Sequence, residues 1–418
     1  MTRIALFVVL LSACKIRNEQ SCDIPGVCVD TDGGQTCTGD PDCGDTGVCK
    51  LPEGRCVGCV DTADCDSAST QPVCNTTTNS CEGCTLGGDC ASQACNATTG
   101  ACFPAGDVAY VEANATGNCD ALSPCGSVQE AFDTGRPVIK LQGNTAIVGA
   151  DKVVIDRDVL VLGDPGAMLP VLRSNGSSTF EVDGDAVLTI KDVELSGNPS
   201  GDGIKIVNNA SVTLDHVFLL DHNKTGVSAA SGNLLVMRGC VVAGNDDGGL
   251  ALVDIDFEIT NTMLIANGAS DSGVGGMRAV GTDPAKSLFE FNTVADNLTM
   301  AGVAAKSGVD CGGTSFPAHN NIVAGFNTTL ALDTISCRFD HSLFTGATAP
   351  TGTGNMATLD VRFEDITTGH EREPDFYRLK NDSPAIDQAA ASTITVDIDG
   401  QLRPQGAEPD MGADEVMP

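Results

Sequence analysis

The sequence predicts an all-β chain: a solenoid of stacked parallel β-coils preceded by a small disulfide-rich module. Two observations predict it. A short apolar segment ending in Asn recurs every 22 to 30 residues between Val187 and Asn327, and fourteen of the 20 Cys crowd between Cys22 and Cys102. A repeat of this length marks a solenoid, because one unit buries its apolar side only by stacking on its neighbours.

The repeated segments are VELSGN (Val193–Asn198), FLLDHN (Phe218–Asn223), CVVAGN (Cys240–Asn245), MLIAN (Met263–Asn267), TVADN (Thr293–Asn297) and IVAGFN (Ile322–Asn327). Apolar and polar residues alternate, as in Val187 to Leu195, and Gly, Asn and Asp recur every few residues. This pattern breaks helices and suits short strands joined by tight turns. Three residues before each Asn stand Leu195, Leu220, Val242, Leu264 and Val294, which are expected to stack as an internal column. The Asn residues are expected to form a second ladder at the bends, where amides bond coil to coil and tolerate left-handed backbone. A β-sandwich, the competing all-β fold, has no reason to repeat Asn at this spacing.

The composition fits thin coils. Aromatics are 4% of the chain, with no Trp and two Tyr, whereas Val, Ile, Leu and Ala are abundant. Sugar-binding platforms usually stack rings on exposed Trp or Tyr, so this chain is poorly equipped for that mode. A net charge of −33 repels nucleic-acid phosphates and anionic lipid headgroups and suits an exported, soluble surface. No cofactor is expected, although the carboxylates leave weak Ca²⁺ binding open.

Met1 to Ala13 carries Arg3, then the apolar run Ile4 to Leu11, too short to span a bilayer and typical of a signal peptide. Leu11-Ser-Ala-Cys14 resembles the lipobox of bacterial lipoproteins. That resemblance implies cleavage before Cys14, lipidation of its thiol and acylation of the new amino group, and Lys15 implies the outer membrane. A plain secretory signal, with Cys14 in a disulfide, is the competing reading.

Three Cys blocks follow: Cys37, Cys43, Cys49, Cys56; Cys59, Cys65, Cys74, Cys81; and Cys84, Cys90, Cys95, Cys102. Asp42, Asp64 and Asp89 precede the second Cys of each block, and Cys74-Asn-Thr-Thr-Thr-Asn-Ser-Cys81 and Cys95-Asn-Ala-Thr-Thr-Gly-Ala-Cys102 share a turn signature. With few apolar residues, disulfides must hold the module, which sets an oxidising compartment. Zinc competes, because Cys56-Val-Gly-Cys59 and Cys81-Glu-Gly-Cys84 are C-x2-C pairs. They fall between repeats and follow an export signal, so disulfides are preferred; each block allows three pairings. The blocks resemble the Cys-rich repeats of myxobacterial surface lipoproteins, which implies a spacer or interaction stalk.

After a hinge at Phe103-Pro-Ala-Gly106, Cys119 and Cys125 bracket a loop and are expected to pair. Ser127-Val-Gln-Glu130 is a capping box for a short helix that covers the open first coil. Ser123 to Phe132, followed by a strand and the repeats, resembles the start of right-handed parallel β-helix proteins of the pectate-lyase-like superfamily. The resemblance implies a single-stranded right-handed parallel β-helix and covers about Asp107 to Phe344. Eight to ten coils at ~4.8 Å would give a rod of about 45 Å.

Polysaccharide lyases and hydrolases of this fold place carboxylates with a base or a Gly-His-Gly on one face. Neither set is visible. Asn245-Asp246-Asp247-Gly248, with Arg238 nearby, reads as a turn, because adjacent carboxylates on a strand point to opposite sides. His216, His319 and His341 stand at roughly corresponding coil positions as solvated turn residues. Cys240 takes the place of Val193 and Phe218 as a buried thiol. Cys311 and Cys337 are expected to pair across neighbouring coils. Asp183-Gly-Asp185 and Asp397-Ile-Asp-Gly400 complete no Ca²⁺ loop.

The stretches Asn381-Asp-Ser-Pro-Ala-Ile-Asp387, Asp397-Ile-Asp-Gly-Gln-Leu-Arg-Pro404 and Pro409-Asp-Met-Gly-Ala-Asp-Glu415 resemble the closing segment of bacterial surface β-helix proteins of the choice-of-anchor Q type. That implies a cap over the last coil, with Asp399, Arg403 and Glu415 in internal polar contacts. In that family a sorting signal often follows; here the chain stops at Pro418, which fits anchoring through Cys14.

The expected organisation is a signal peptide over 1–13, a lipidated N-terminus and linker over 14–36, cysteine-rich repeats over 37–102, the β-helix over 107–370 and a cap segment over 371–418. The expected function is a non-catalytic, membrane-anchored surface lipoprotein that presents the solenoid to a polysaccharide or another surface protein, without nucleic acid. The alternative is a polysaccharide lyase or glycoside hydrolase with an unrecognised site.

Overall fold

The computed structural model describes residues 21–24, 27–29, 35, 36, 40, 41, 43, 47–51, 53, 55–66, 69–143, 145–149, 151–166, 168–269, 273–299, 308–313, 315–325 and 337–417. Cys14, Cys37 and Asn327 lie outside these residues. The chain divides into two units, Met1–Phe103 and Pro104–Pro418.

In the first unit, short antiparallel hairpins are tied by Cys43–Cys56, Cys59–Cys74, Cys65–Cys81, Cys84–Cys95 and Cys90–Cys102. Cys49 is also disulfide-bonded. In the second and third blocks the first Cys joins the third and the second joins the fourth, so the sulfurs that zinc would require are committed to one another. The repeated polar residues explain themselves locally. Asp64 Oδ2 accepts the Val60 and Asp61 N–H at 2.7 and 3.0 Å, and Asp89 Oδ2 does the same for Thr85 and Leu86 at 2.8 and 2.9 Å. Asn75 Oδ1 accepts from Thr77 and Thr78, and Asn96 Oδ1 from Thr98 and Thr99, closing the shared Asx turns. Peptide mapping of unreduced protein is expected to recover Cys59–Cys74 and Cys84–Cys95 links. Recovery of Cys59–Cys65 or Cys74–Cys81 links instead would refute this connectivity.

In the second unit each coil supplies parallel strands to three faces. The first face runs from Val108–Glu112 and Val138–Gln142 to Arg338–Asp340. The second runs from Ile147–Gly149 and Val171–Ser174 through Val241–Ala243 and Met263–Ile265 to Met356–Thr358. The third is a seven-stranded sheet from Val153–Ile155 to Val309–Asp310. Val187–Ser196 and Ser211–Leu220 each pass from the first face to the second as one continuous strand.

One left-handed residue turns each strand at a corner, which is why Asp, Asn, His and Gly collect there. Asp192 (φ 55°), His216 (53°), Gly239 (59°), Asn261 (48°), Asn320 (60°) and His341 (46°) hold the first corner, with Phe291 (54°) as the one bulky member. His216 and His341 therefore correspond, whereas His319 falls on the strand before the corner. Gly197, Asp221, Gly244, Ala266 and Asp296 hold the second corner.

The internal column on the second face is Leu195, Leu219, Val242, Leu264, Val294, Val323 and Phe344. Leu219 replaces the expected Leu220, which points outward. The shift follows from the buried ladder: Asn198, His222, Asn245, Asn267 and Asn297 form it, and in the second repeat His222, not Asn223, occupies the position. Asn245 N and Nδ2 both donate to Asn267 Oδ1 (3.2 and 2.8 Å), and Asn267 repeats this onto Asn297 (2.9 and 3.0 Å). The same amides donate to carbonyls of the preceding coil at Leu219, Val242 and Leu264. Buried backbone groups at the corner are thus satisfied without water.

A second ladder stands at the first corner. Thr262 N donates to Asn292 Oδ1, Asn292 N to Asn321 Oδ1, Asn321 N to Ser342 Oγ and Ser342 N to Asn355 Oδ1, all at 2.9 to 3.1 Å. Cys240 continues this column in register with Val217 and Val193, not Phe218. Its thiol is fully buried and is pushed up to about 12 by that burial, so it packs as a small apolar group.

Opposite the first ladder, Gly203, Gly226, Gly249 and Gly276 align on the third face. A Cβ on Gly249 would lie 2.4 Å from the Gly276 carbonyl oxygen and 3.2 Å from Asn267 Nδ2. Gly249→Ala is expected to destabilise the protein by about 2 kcal/mol, whereas Gly106→Ala, with nothing within 4 Å of its Cβ, is expected to be near neutral. Chemical denaturation of both variants checks the contrast.

The helix Val128–Asp133 buries Val128, Ala131 and Phe132, and its capping box closes through Ser127 and Glu130. Cys119 is bonded to Cys125 and Cys311 to Cys337. At the other end, the loop 346–355 turns back on the last coil: Asn355 Nδ2 donates to the Phe339 carbonyl at 2.7 Å, and Ala349 packs on the core. The C-terminal segment is not that cap. Residues 361–416 lie as a strap along the second face, where Val361, Phe376, Leu379, Ala385 and Met411 cover the outward Val241, Met263, Ile322 and Leu343. The outward side of this face is largely apolar, and the strap removes these residues from water.

Candidate functional site

Toward the N-terminal coils of the solenoid, the strap leaves a groove of about 650 Å³ against the second face. The floor is one register column from five successive coils, Val171, Glu194, Phe218, Val241 and Met263. At a coil spacing of ~4.8 Å it runs about 19 Å along the solenoid axis. Met168 and Leu169 form one wall, with Phe376, Arg378, Ile398 and Asp399 of the strap on the other.

Glu194 is the polar exception in the floor. It is almost fully buried, and Arg372 clamps it with Nε and Nη2 at 2.7 and 2.6 Å from its two oxygens. This bidentate pair raises the Arg372 pKa, chiefly through its bond to Glu194, and fixes the strap to the solenoid. His216 Nδ1 lies 2.7 Å from Asp192 Oδ1, and its ring meets the Phe218 ring edge-on at 6.0 Å. Arg378 Nη2 donates to Asp399 Oδ1 at 2.7 Å. Glu194 and Asp399 are thus paired with arginines around an apolar trough that Glu371 and Glu373 also line.

Behind the groove, the three C-terminal stretches form one buried polar knot. Arg403 donates to Glu415 Oε2 at 2.8 Å and to the carbonyls of Asp410 and Gly412, with its guanidinium 4.4 Å above the Phe291 ring. Arg403 and Glu415 side chains are fully buried, while Asp399 reaches the surface to meet Arg378. Burial pushes Asp410 and Asp414 up to about 6. Asp397, Asp399 and Asp414 each bring one carboxylate oxygen within 4.8 Å of the others. Asp397 already accepts from the Asp399, Gln401 and Glu415 N–H, and Asp414 from the Leu379 N–H. With Asp397 and Asp414 occupied as backbone acceptors and Asp399 by Arg378, the three fit a structural knot better than an ion cage.

The other sequence candidates separate. Asn245 to Gly248 form a turn, closed by the Gly248 N–H to the Asn245 carbonyl, and Arg238 pairs with Glu258 at 3.1 Å. Asp183 and Asp185 accept from Asn208 and Asn209 at 2.7 and 2.6 Å. The sequence reading missed Glu194, Arg372 and the His216–Asp192 pair. One signal was present: Glu194 is the lone charge in a column otherwise made of Val, Phe and Met.

Arg372→Ala leaves Glu194 buried without its partner. The expected cost is about 2 kcal/mol, below that of a fully buried pair because Arg372 is half-exposed. Limited proteolysis should then cut within 366–375 at protease levels that spare the parent; unchanged cutting would show that the clamp does not hold the strap.

A family model described as "Right handed beta helix region" matches residues 171–327. Among solved structures the chain is similar to pectate lyase Pel9A, at 16% identity over 74% of this chain and 96% of that chain, with a TM-score of 0.46. No curated protein matches the sequence. Parallel stacking on three faces and the family match over 171–327 make the second unit a right-handed parallel β-helix.

Proposed function

We propose that the protein is a non-catalytic surface lipoprotein whose solenoid is a binding scaffold. A lipid at Cys14 holds it on the outer membrane, the disulfide unit serves as a spacer, and the groove takes an extended partner, a polysaccharide or a segment of another surface protein. The observation that carries this reading is that the buried carboxylate in the groove floor, Glu194, and its neighbours Asp192 and Asp399 are each held by a basic side chain. Both Glu194 oxygens are engaged by Arg372, Asp192 by His216 and Asp399 by Arg378. A carboxylate so saturated is a poor nucleophile or base, since the cation must first be displaced. A floor spanning five coils suits a long partner better than a compact one.

A second reading, a lyase or hydrolase, is favoured by one feature. His216 is oriented by Asp192 and lines the groove, and its other ring nitrogen has no hydrogen-bond partner among the described residues. A base held this way needs only a substrate within reach.

Purified protein incubated with acidic and neutral polysaccharides, with and without Ca²⁺, separates the two. The scaffold reading expects retention on a polymer or partner without unsaturated products or new reducing ends. Turnover lost in His216→Ala would overturn it. In cell fractionation, the parent is expected in membranes and Cys14→Ser in the soluble fraction.

A further inference from the structure

We propose that His222 is an acid-sensitive joint beneath the groove, at which protonation parts one coil from the next and opens the groove floor. That the floor is a binding surface rests on the reading above; the joint itself does not.

His222 occupies a ladder position held elsewhere by Asn, and it does only half of the Asn task. Its Nδ1 accepts the Asn198 N–H at 3.3 Å, and its own N–H donates to Asn245 Oδ1 at 3.1 Å. Accepting through Nδ1 requires that atom to be unprotonated, so the neutral ring carries its proton on Nε2. Nε2 is buried and makes no hydrogen bond of normal geometry. The ring is also confined, since a Cβ on Gly203 would stand 2.6 Å from Nε2.

A second proton can go only to Nδ1. The coil-to-coil bond then becomes two N–H groups facing each other. The charge is poorly met. Burial, the largest influence, pulls the His222 pKa down to about 4, only partly countered by the Leu195 carbonyl and Glu194. Glu194 is already clamped by Arg372. Asp202, on the third-face strand beside Gly203, is engaged by the Thr225 N–H and the Ser228 hydroxyl. Asp221, next in the chain, is exposed near Glu371, Arg372 and Glu194, and Lys224 pairs with Asp247.

The position matters for the groove. Glu194, Phe218 and Val241 belong to the coils of Asn198, His222 and Asn245, so the joint underlies three successive floor residues. A folded-state pKa below the unfolded value of ~6.5 means the ladder is fully closed above that pH and weakens as pH falls toward 4. Local protection should fall about tenfold per pH unit in that window. Asp202 and Asp221, whose pKa values burial raises, act in the opposite sense, so the comparison must be between His222 variants and not between pH values alone.

The test is hydrogen exchange on the full chain and on His222→Asn, at about pH 7 and about pH 4.5 with intrinsic rates corrected. Peptides covering 193–226 report the joint, and peptides covering 288–297 serve as the internal control. At neutral pH both proteins should protect 193–226 alike. At acid pH the parent should lose protection there by roughly a hundredfold relative to His222→Asn, with 288–297 unchanged in both. Equal loss in both proteins, or none in the parent, would overturn the proposal. Should His222→Asn not fold, NMR titration of the His222 ring in the parent decides: a ring titrating near its ordinary value, with no change at Asn198, overturns it equally.

Discussion

Each coil from Asn198 to Asn297 returns a hydrogen-bonding side chain to the same buried corner. The amides of Asn245, Asn267 and Asn297 satisfy buried backbone groups, and Asn245 and Asn267 each link three coils at once. From Asn245 to Asn267 the chain takes 22 residues, and from Asn267 to Asn297 it takes 30, yet the ladder bond is the same. Extra residues are tolerated only where they leave the corner undisturbed. The glycine column is the other half of this arrangement, because the amide fills the space a Cβ would need.

The strap answers a different problem. An ordinary solenoid face turns polar residues outward, but the second face presents Val241, Met263, Ile322 and Leu343. Covering them required a segment with its own fold, whose apolar residues are spent on the solenoid face. It uses a buried arginine among carboxylates instead, with Arg403 and Glu415 at its centre. Such pairs contribute little net stability but tolerate few alternative arrangements, which suits a segment that must sit in one register on a long face.

Much of the solenoid was legible because its signal is periodic: apolar pairs ahead of Asn mark coils. The register of the second repeat was not, because Asp221-His-Asn223 offers three polar residues and only the neighbouring coils decide which one turns inward. The second ladder was illegible because Cys240, Thr262, Asn292 and Ser342 share a position but not a chemistry. The lateral course of the strap depends on contacts 135 residues apart, between Asn261 and Val396, and 178 apart, between Glu194 and Arg372, which no local pattern encodes. The Cys pairing was hidden differently: Cys74 and Cys81 are cross-strand neighbours, yet each bonds to a Cys earlier in its block.

Solenoids lengthen or shorten readily by whole coils, since each coil touches only its neighbours. The Glu194–Arg372 clamp removes that freedom here. The strap leaves the last coil near Thr358 and must travel back to Glu194, so the clamp measures the distance between them. A coil added or lost in that interval would move Glu194 by one rung and leave Arg372 facing the wrong side chain. The strap thus acts as a ruler, fixing the coil number of the covered part, while coils on the N-terminal side of Glu194 stay free to vary.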